Sequence, residues 1–224
     1  MSELANIDYE PFWLSLKLSF ITTFILFFFC VGLAYFMSQK KFFGKAFLES
    51  IISLPLVLPP SVIGFYLLIF LSPYSFFGKF IEELFGVRLV FNFTGLVVAS
   101  CIYSLPFMFG PIYAGLNSLK KSLFEASYGL GKSKLTTIFR VILPSIRSNL
   151  LTAIVVSFAH TMGEFGVVLM IGGSVAGESK VASIAIFEAV EMLDYTKAHI
   201  YALLMLIISF FVLFVVYLLN SKKA

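Results

Sequence analysis

The sequence predicts an all-α integral membrane protein that crosses the bilayer five times, and three observations carry that prediction. Of its 224 residues, 60% are hydrophobic and 12% are charged, with a mean hydropathy of +1.00; soluble domains hold about 25% charged residues. Five apolar runs, at 13–37, 46–71, 92–117, 146–171 and 198–219, are each long enough for a hydrocarbon core of roughly 30 Å. Basic residues gather in alternate connections between those runs, as the connections of a multi-span protein do.

The first run follows Glu3, Asp8 and Glu10 with no Lys or Arg before it, and it is too long for a cleavable signal. The second run holds Leu54-Pro55-Leu56-Val57-Leu58-Pro59-Pro60-Ser61-Val62-Ile63-Gly64. Three prolines in one helix remove donors and force a kink or a break. The carbonyls so freed must be buried in protein or face a wet cavity. Pro55, Pro59, Pro60 and Ser61 therefore mark either a kinked packing helix or a broken helix lining a pathway. The third run carries Ser104-Leu105-Pro106-Phe107-Met108.

Between runs three and four lies the longest polar, cationic stretch, SLFEASYGLGKSKLTTIFRVILP at 122–144. Ser122 and Glu125 have capping-box spacing and predict a short helix starting at Ser122. Gly129 and Gly131 weaken that helix and open its backbone to close approach. A capped helix, a glycine turn and a basic return make a docking element. Gly131-Lys132-Ser133 imitates the end of a phosphate-binding loop, but Ala126 stands where the first glycine is required and no strand precedes it, so no ATP site is expected here.

The fourth run contains His160, Gly163, Glu164 and Gly166. Ionisable residues inside a span are functional candidates. Four residues apart on one helix, His160 and Glu164 share a face and could pair. A structural pair locking helices together takes precedence over a substrate contact, because an ionised Glu repels an anion. Zinc is not expected: the spacing is H-x-x-x-E, and the other histidine, His199, sits at the start of the fifth run. After a glycine-rich loop at 172–177, the apolar stretch 184–190 is too short to span and reads as a re-entrant or interfacial helix. Cys30 and Cys101 lie inside apolar runs and read as small core residues.

The four-residue basic excess reports orientation rather than nucleic-acid binding. Lys40, Lys41, Lys45, Lys120, Lys121, Lys132, Lys134, Arg140, Arg147, Lys222 and Lys223 fall on one side, against Lys79, Arg88, Lys180 and Lys197 on the other. The positive-inside rule predicts an outer N-terminus, with the 122–144 loop and the C-terminus in the cytoplasm.

These motifs also carry a resemblance. Glu125-Ala126-Ser127, then Gly131 three residues on, then Val141 and Leu143-Pro144 after nine more, resemble the EAA loop of ABC importer permeases, with Ser127 and Val141 as conservative departures. The proline-rich second run with Phe65-Tyr66-Leu67-Leu68, and Ser104–Met108, resemble molybdate permease subunits. Gly163-Glu164-Phe165-Gly166 with Leu169-Met170 resembles a segment shared by molybdate and sulfate permeases. The resemblance implies one permease domain over 1–224 with a coupling loop at about 118–144, in a type I ABC importer fold of five spans and a cytoplasmic coupling helix. It implies a homodimer, two ATP-binding subunits docked through Glu125, Ala126, Ser127, Gly129, Gly131, Val141, Leu143 and Pro144, and an extracytoplasmic molybdate-binding protein. No cofactor is expected on this chain, ATP and magnesium being used by the partner subunit. Tungstate, sulfate or thiosulfate are the alternative cargoes, and an intramembrane metalloenzyme is the alternative class.

Overall fold

Helices built from the five apolar runs pack into one bundle in the computed structural model, which describes residues 7–221; Glu3, Lys222 and Lys223 lie outside them. The first span is α1 (Glu10–Gln39), continuous for 30 residues. It is followed by α2 (Lys45–Ser53), entered through Gly44 at φ 91°.

The second run breaks where its prolines stand. A 3₁₀ turn at Leu54–Leu56 buries Pro55. Pro59, pushed into extended backbone (ψ 140°) because a proline follows it, caps α3 (Pro60–Leu71), and Pro60 takes the first turn, where its missing N–H costs nothing. The two halves meet at 110°, so this run is a broken helix rather than a kinked one. Glu49 of α2 accepts a 2.7 Å hydrogen bond from Tyr113 Oη, a tether that the sequence reading passed over.

A short amphipathic helix, α4 (Phe76–Phe85), crosses over the end of α3. Beyond it, α5 (Phe93–Ser118) runs unbroken through Pro106 and Pro111 and is the most enclosed of the three unbroken spans, 56% buried over its apolar window. The polar connection folds as α6 (Lys121–Gly129), α7 (Lys134–Thr137), a π-helical turn at Ile138–Ile142 and α8 (Leu143–Ser145). From there the chain bends by 76° into α9 (Arg147–Gly163).

The fourth run, expected to be continuous over 146–171, stops at Gly163 and resumes as α10 (Gly166–Gly172). The interfacial stretch is α11 (Ala182–Glu191), whose first N–H donates to Ser15 Oγ of α1 at 2.9 Å. The chain closes with α12 (Tyr195–Ser221), whose apolar window is only 11% buried, leaving most of it facing outward. Among the described residues, three helices are long and apolar enough to span on their own, and the count reaches five when each bent pair is one span.

The buried core divides into four clusters, two of which close the ends that carry the candidate sites. Met37 of α1, Met108, Ile112 and Leu116 of α5, and Ile142 and Ile146 close the end nearest α6. Ile63 and Leu67 of α3, Ala99 and Tyr103 of α5, and Val167 and Ile171 of α10 close the end nearest α4. Here α3 and α10 lie almost backbone to backbone. A Cβ on Gly64 would stand 2.8 Å from Met170 Cβ, and one on Gly166 would stand 2.6 Å from Pro60 Cβ. Gly166→Val should therefore force the two helices apart and cost about 1–3 kcal/mol, read as a lower thermal midpoint in detergent. Gly32→Ala, where nothing lies within 4 Å, should not lower the midpoint and, inside α1, should raise it slightly. Equal midpoints for both variants would mean that the close approach is not a constraint.

Candidate functional site: a cavity between two helix breaks

The break before α3 and the break before α10 open onto one cavity of about 450 Å³, lined by Pro60, Ser61, Tyr103, His160, Gly163, Glu164, Phe165 and Gly166. Six of the eight pathway candidates named from sequence meet there. Pro55 and Pro59 do not line it: Pro55 is buried in the 3₁₀ turn and Pro59 serves as the cap of α3. Tyr103 was not singled out, and Phe165 was named only as part of the Gly163–Gly166 segment. Tyr103 stands directly before the Ser104-Leu105-Pro106 motif, and that adjacency was the signal available for it.

Glu164 does not pair with His160. With Glu164 in extended backbone (φ −71°, ψ 135°), the helix has already ended and the four-residue spacing no longer places the two side chains on one face. Instead the carboxyl group folds forward onto α10. Oε1 accepts from Val167 N–H at 2.6 Å and Oε2 from Val168 N–H at 3.0 Å. The carbonyl of Glu164 accepts from Ser183 Oγ of α11 at 2.8 Å. At 6% exposure, the residue supplies the partners that water would give a helix start in a soluble protein.

His160 is held in a different way. Its ring stacks on Phe107 with centroids 3.8 Å apart and lies 4.9 Å from the ring of Tyr103. Its Nδ1 begins a relay whose direction follows from counting protons. Thr161 Oγ1 donates its one proton to the Ser157 carbonyl at 2.9 Å, so it accepts from Ser104 Oγ at 2.9 Å. Ser104, its proton used, accepts from His160 Nδ1–H at 3.0 Å. In the neutral ring Nε2 is then the bare acceptor. Tyr103 is 8% exposed and makes no hydrogen bond among the described residues, so its hydroxyl is free for whatever enters the cavity. No group of three or more His, Cys, Asp or Glu that could hold a metal occurs among the described residues.

The second candidate set forms a hairpin at the other end. The capping box expected at Ser122 is not formed. Lys120, in extended backbone, is the N-cap, so Ser122 falls inside the first turn and α6 starts at Lys121 with no side-chain cap. Ser133 does the capping instead, accepting from Thr136 N–H of α7 at 3.2 Å. Phe124 and Ser127 point into the bundle, while Glu125, Ala126, Gly129 and Gly131 face out. Ser127, where the EAA pattern has alanine, makes a buried 2.8 Å hydrogen bond with Thr137 Oγ1, tying α6 to α7. Gly131 turns the chain at φ 69°, a left-handed conformation that favours glycine. Val141 closes the π-helical turn, Leu143 and Pro144 form α8, and the 76° bend follows.

Removing the Glu164 carboxyl should leave two enclosed N–H groups without acceptors. Glu164→Ala should lose stability at about 1–3 kcal/mol for each N–H left open, and Glu164→Gln, which keeps one acceptor oxygen, should lose less. Thermal unfolding in detergent measures both. Wild-type stability in Glu164→Ala would mean that the carboxyl group does not hold this helix start.

Comparison with known proteins agrees with this architecture. The chain is 37% identical over 221 residues to the molybdenum transport system permease protein ModB of Azotobacter vinelandii, covering 99% of this chain and 98% of that one. It is 30% identical over 190 residues to the sulfate transport system permease protein CysT of Salmonella typhimurium, covering 85% of this chain and 68% of that one. Among solved structures, a chain of the MetNI methionine ABC transporter in an inward-facing conformation matches with a TM-score of 0.70 at 15% identity, covering 95% of this chain and 94% of that one. At that identity the likeness bears on fold alone, that of a type I ABC importer permease. The model of the binding-protein-dependent transport system inner membrane component family matches residues 18–224, and this chain belongs to that family: it is a membrane transport component, not an enzyme.

Proposed function

We propose that the chain is the permease subunit of a molybdate importer, a single permease domain over 1–224 driven by ATP hydrolysis in a partner subunit. The supporting observation is the end-to-end likeness to the Azotobacter molybdenum permease at 37% identity, against 30% to the Salmonella sulfate permease. Two copies surround a central pathway, and two ATP-binding subunits bind on the side of the α6–α7 hairpin. An extracytoplasmic molybdate-binding protein delivers the anion to the opposite face. Loop charges support an outer N-terminus and a cytoplasmic hairpin. ATP and magnesium belong to the partner, and no cofactor is held by this chain.

In this mechanism the outward residues Glu125, Ala126, Gly129 and Gly131 form the contact with the ATPase. Phe124 and the Ser127–Thr137 hydrogen bond carry its movement into the bundle. The π-helical turn with Val141, Leu143 and Pro144 transmits the movement to α9, whose far end is the cavity between the breaks. Closure of the ATPases then exchanges inward- and outward-facing states. Glu164, folded onto α10 through both carboxyl oxygens, holds the cavity wall in this reading and is not a contact for the anion. The acceptor face of His160 gives an anion no firm hold, which suits a pathway that must release its cargo.

Expression in cells lacking their own molybdate permease, with the cognate ATPase and binding protein, should restore molybdate uptake that excess sulfate does not suppress. Glu125→Lys should lose the ATPase on co-purification. Gly131→Asp should keep the fold and lose transport, since a side chain at φ 69° is strained and blocks close approach. Sulfate uptake without molybdate uptake would replace the cargo assignment; full transport by Gly131→Asp would remove the coupling role of the hairpin.

A further inference from the structure

The connection between α3 and α5 contains a helix with no obvious place in a transport cycle. On α4, Phe76, Phe80 and Leu84 recur every four residues and form one ridge, with Phe77 and Ile81 on one side of it and Glu83 at its other edge; Lys79 lies on the flank and Glu82 on the opposite arc. Both ends are firmly stopped, by Ser75 Oγ accepting from Gly78 N–H at 2.8 Å and by Gly86 at φ 66°. The ridge is nevertheless bare: Phe76 is 93%, Phe80 52% and Leu84 60% exposed.

Three observations say what covers it. First, Gly78 is buried with the carbonyls of Leu71 and Ser72 where a side chain would be, so α4 lies across the end of α3 and does not prolong it. A helix laid over the end of a membrane helix runs along the membrane surface. Second, the ridge continues the exposed flank of α3 turned away from Ser61, formed by Tyr66 and Phe70, through Phe77, which stacks on Phe70 with centroids 4.5 Å apart. Third, exposed Tyr9 and Trp13 at the start of α1, Tyr74 between α3 and α4, and Tyr195 at the start of α12 ring the same end of the bundle. Amphipathic aromatic residues at one level of a membrane protein mark the headgroup layer.

We infer that α4 is an interfacial anchor, its Phe76–Phe80–Leu84 ridge sunk between lipid headgroups and acyl chains. Its charges are matched internally, Lys79 with Glu83 at 3.8 Å and Arg88 with Glu82 at 2.8 Å. Apolar burial therefore drives the contact, and anionic headgroups add nothing to it. The anchor fixes the end of α3 nearest α4 relative to the bilayer.

The test uses the complete permease in lipid vesicles. Trp13, the one tryptophan of the chain, is replaced by Phe so that an introduced tryptophan reports alone. In Phe80→Trp, lipids brominated near the headgroup end of the acyl chain should quench emission at least about twofold more than they quench Glu82→Trp on the opposite arc, with the order reversed for aqueous acrylamide. The same result is expected in phosphatidylcholine and in vesicles containing phosphatidylglycerol. Phe76→Trp repeats the measurement if Phe80→Trp does not fold. Quenching of the ridge by acrylamide alone would place it in water. Shielding from both quenchers would mean that a second copy or another protein covers it. A gain in lipid quenching only with phosphatidylglycerol would make the contact electrostatic. Each of these three results overturns the inference.

Discussion

A helix that stops inside a membrane must find partners for the backbone groups it releases, and the rest of this structure is arranged around two such stops. At Pro59–Pro60 the problem is made small by chemistry: prolines have no N–H to leave open, and the first turn of α3 begins with one. At Glu164 the problem is solved by a side chain, which gives Val167 and Val168 their acceptors. The stops are also packed against each other, because Gly166 leaves room for Pro60 and Gly64 leaves room for Met170. A cavity bordered by two satisfied breaks can change shape without exposing orphaned backbone to lipid.

That cavity is mechanically connected to the far end of the bundle. The α6–α7 hairpin is stiffened by the Ser127–Thr137 hydrogen bond and seated by Phe124 in the same core cluster as Met37 and Leu116. A rigid hairpin, a π-helical turn, a 76° bend and then 17 residues of α9 lead without interruption to Gly163 at the cavity wall. π-Helical turns often occur at functional positions. Here one sits where a displacement of the hairpin must be passed to a membrane helix.

Much of this was legible in the sequence because the governing rules are local. Pro-Pro forces extended backbone ahead of the second ring, so the break in the second run could be placed within a few residues. Composition and length gave the spans, and Gly129 and Gly131 followed by a basic return marked the turn of the hairpin. What failed depended on neighbours far along the chain. Glu164 was assigned to a helix face because the fourth run is apolar throughout; that helix ends where Pro60 of α3 meets Gly166, a contact of residues more than 100 positions apart. The Ser122 capping box failed for a smaller reason: Lys120 took the cap position two residues earlier. His160 was recognised as important, but its partners, Ser104 and Phe107, lie on another helix and could not be read from its own.

The most direct test of the central claim, that the two helix breaks border a water-filled pathway rather than a sealed packing joint, is the accessibility of Ser61. With Cys30 and Cys101 replaced, Ser61→Cys in vesicles containing the assembled transporter should react with a membrane-impermeant thiol reagent from one side in the nucleotide-free state. With ATP held unhydrolysed it should lose that reactivity and gain it from the other side. A cysteine at 61 that is unreactive from both sides in both states would contradict the account and leave the breaks as features of packing alone.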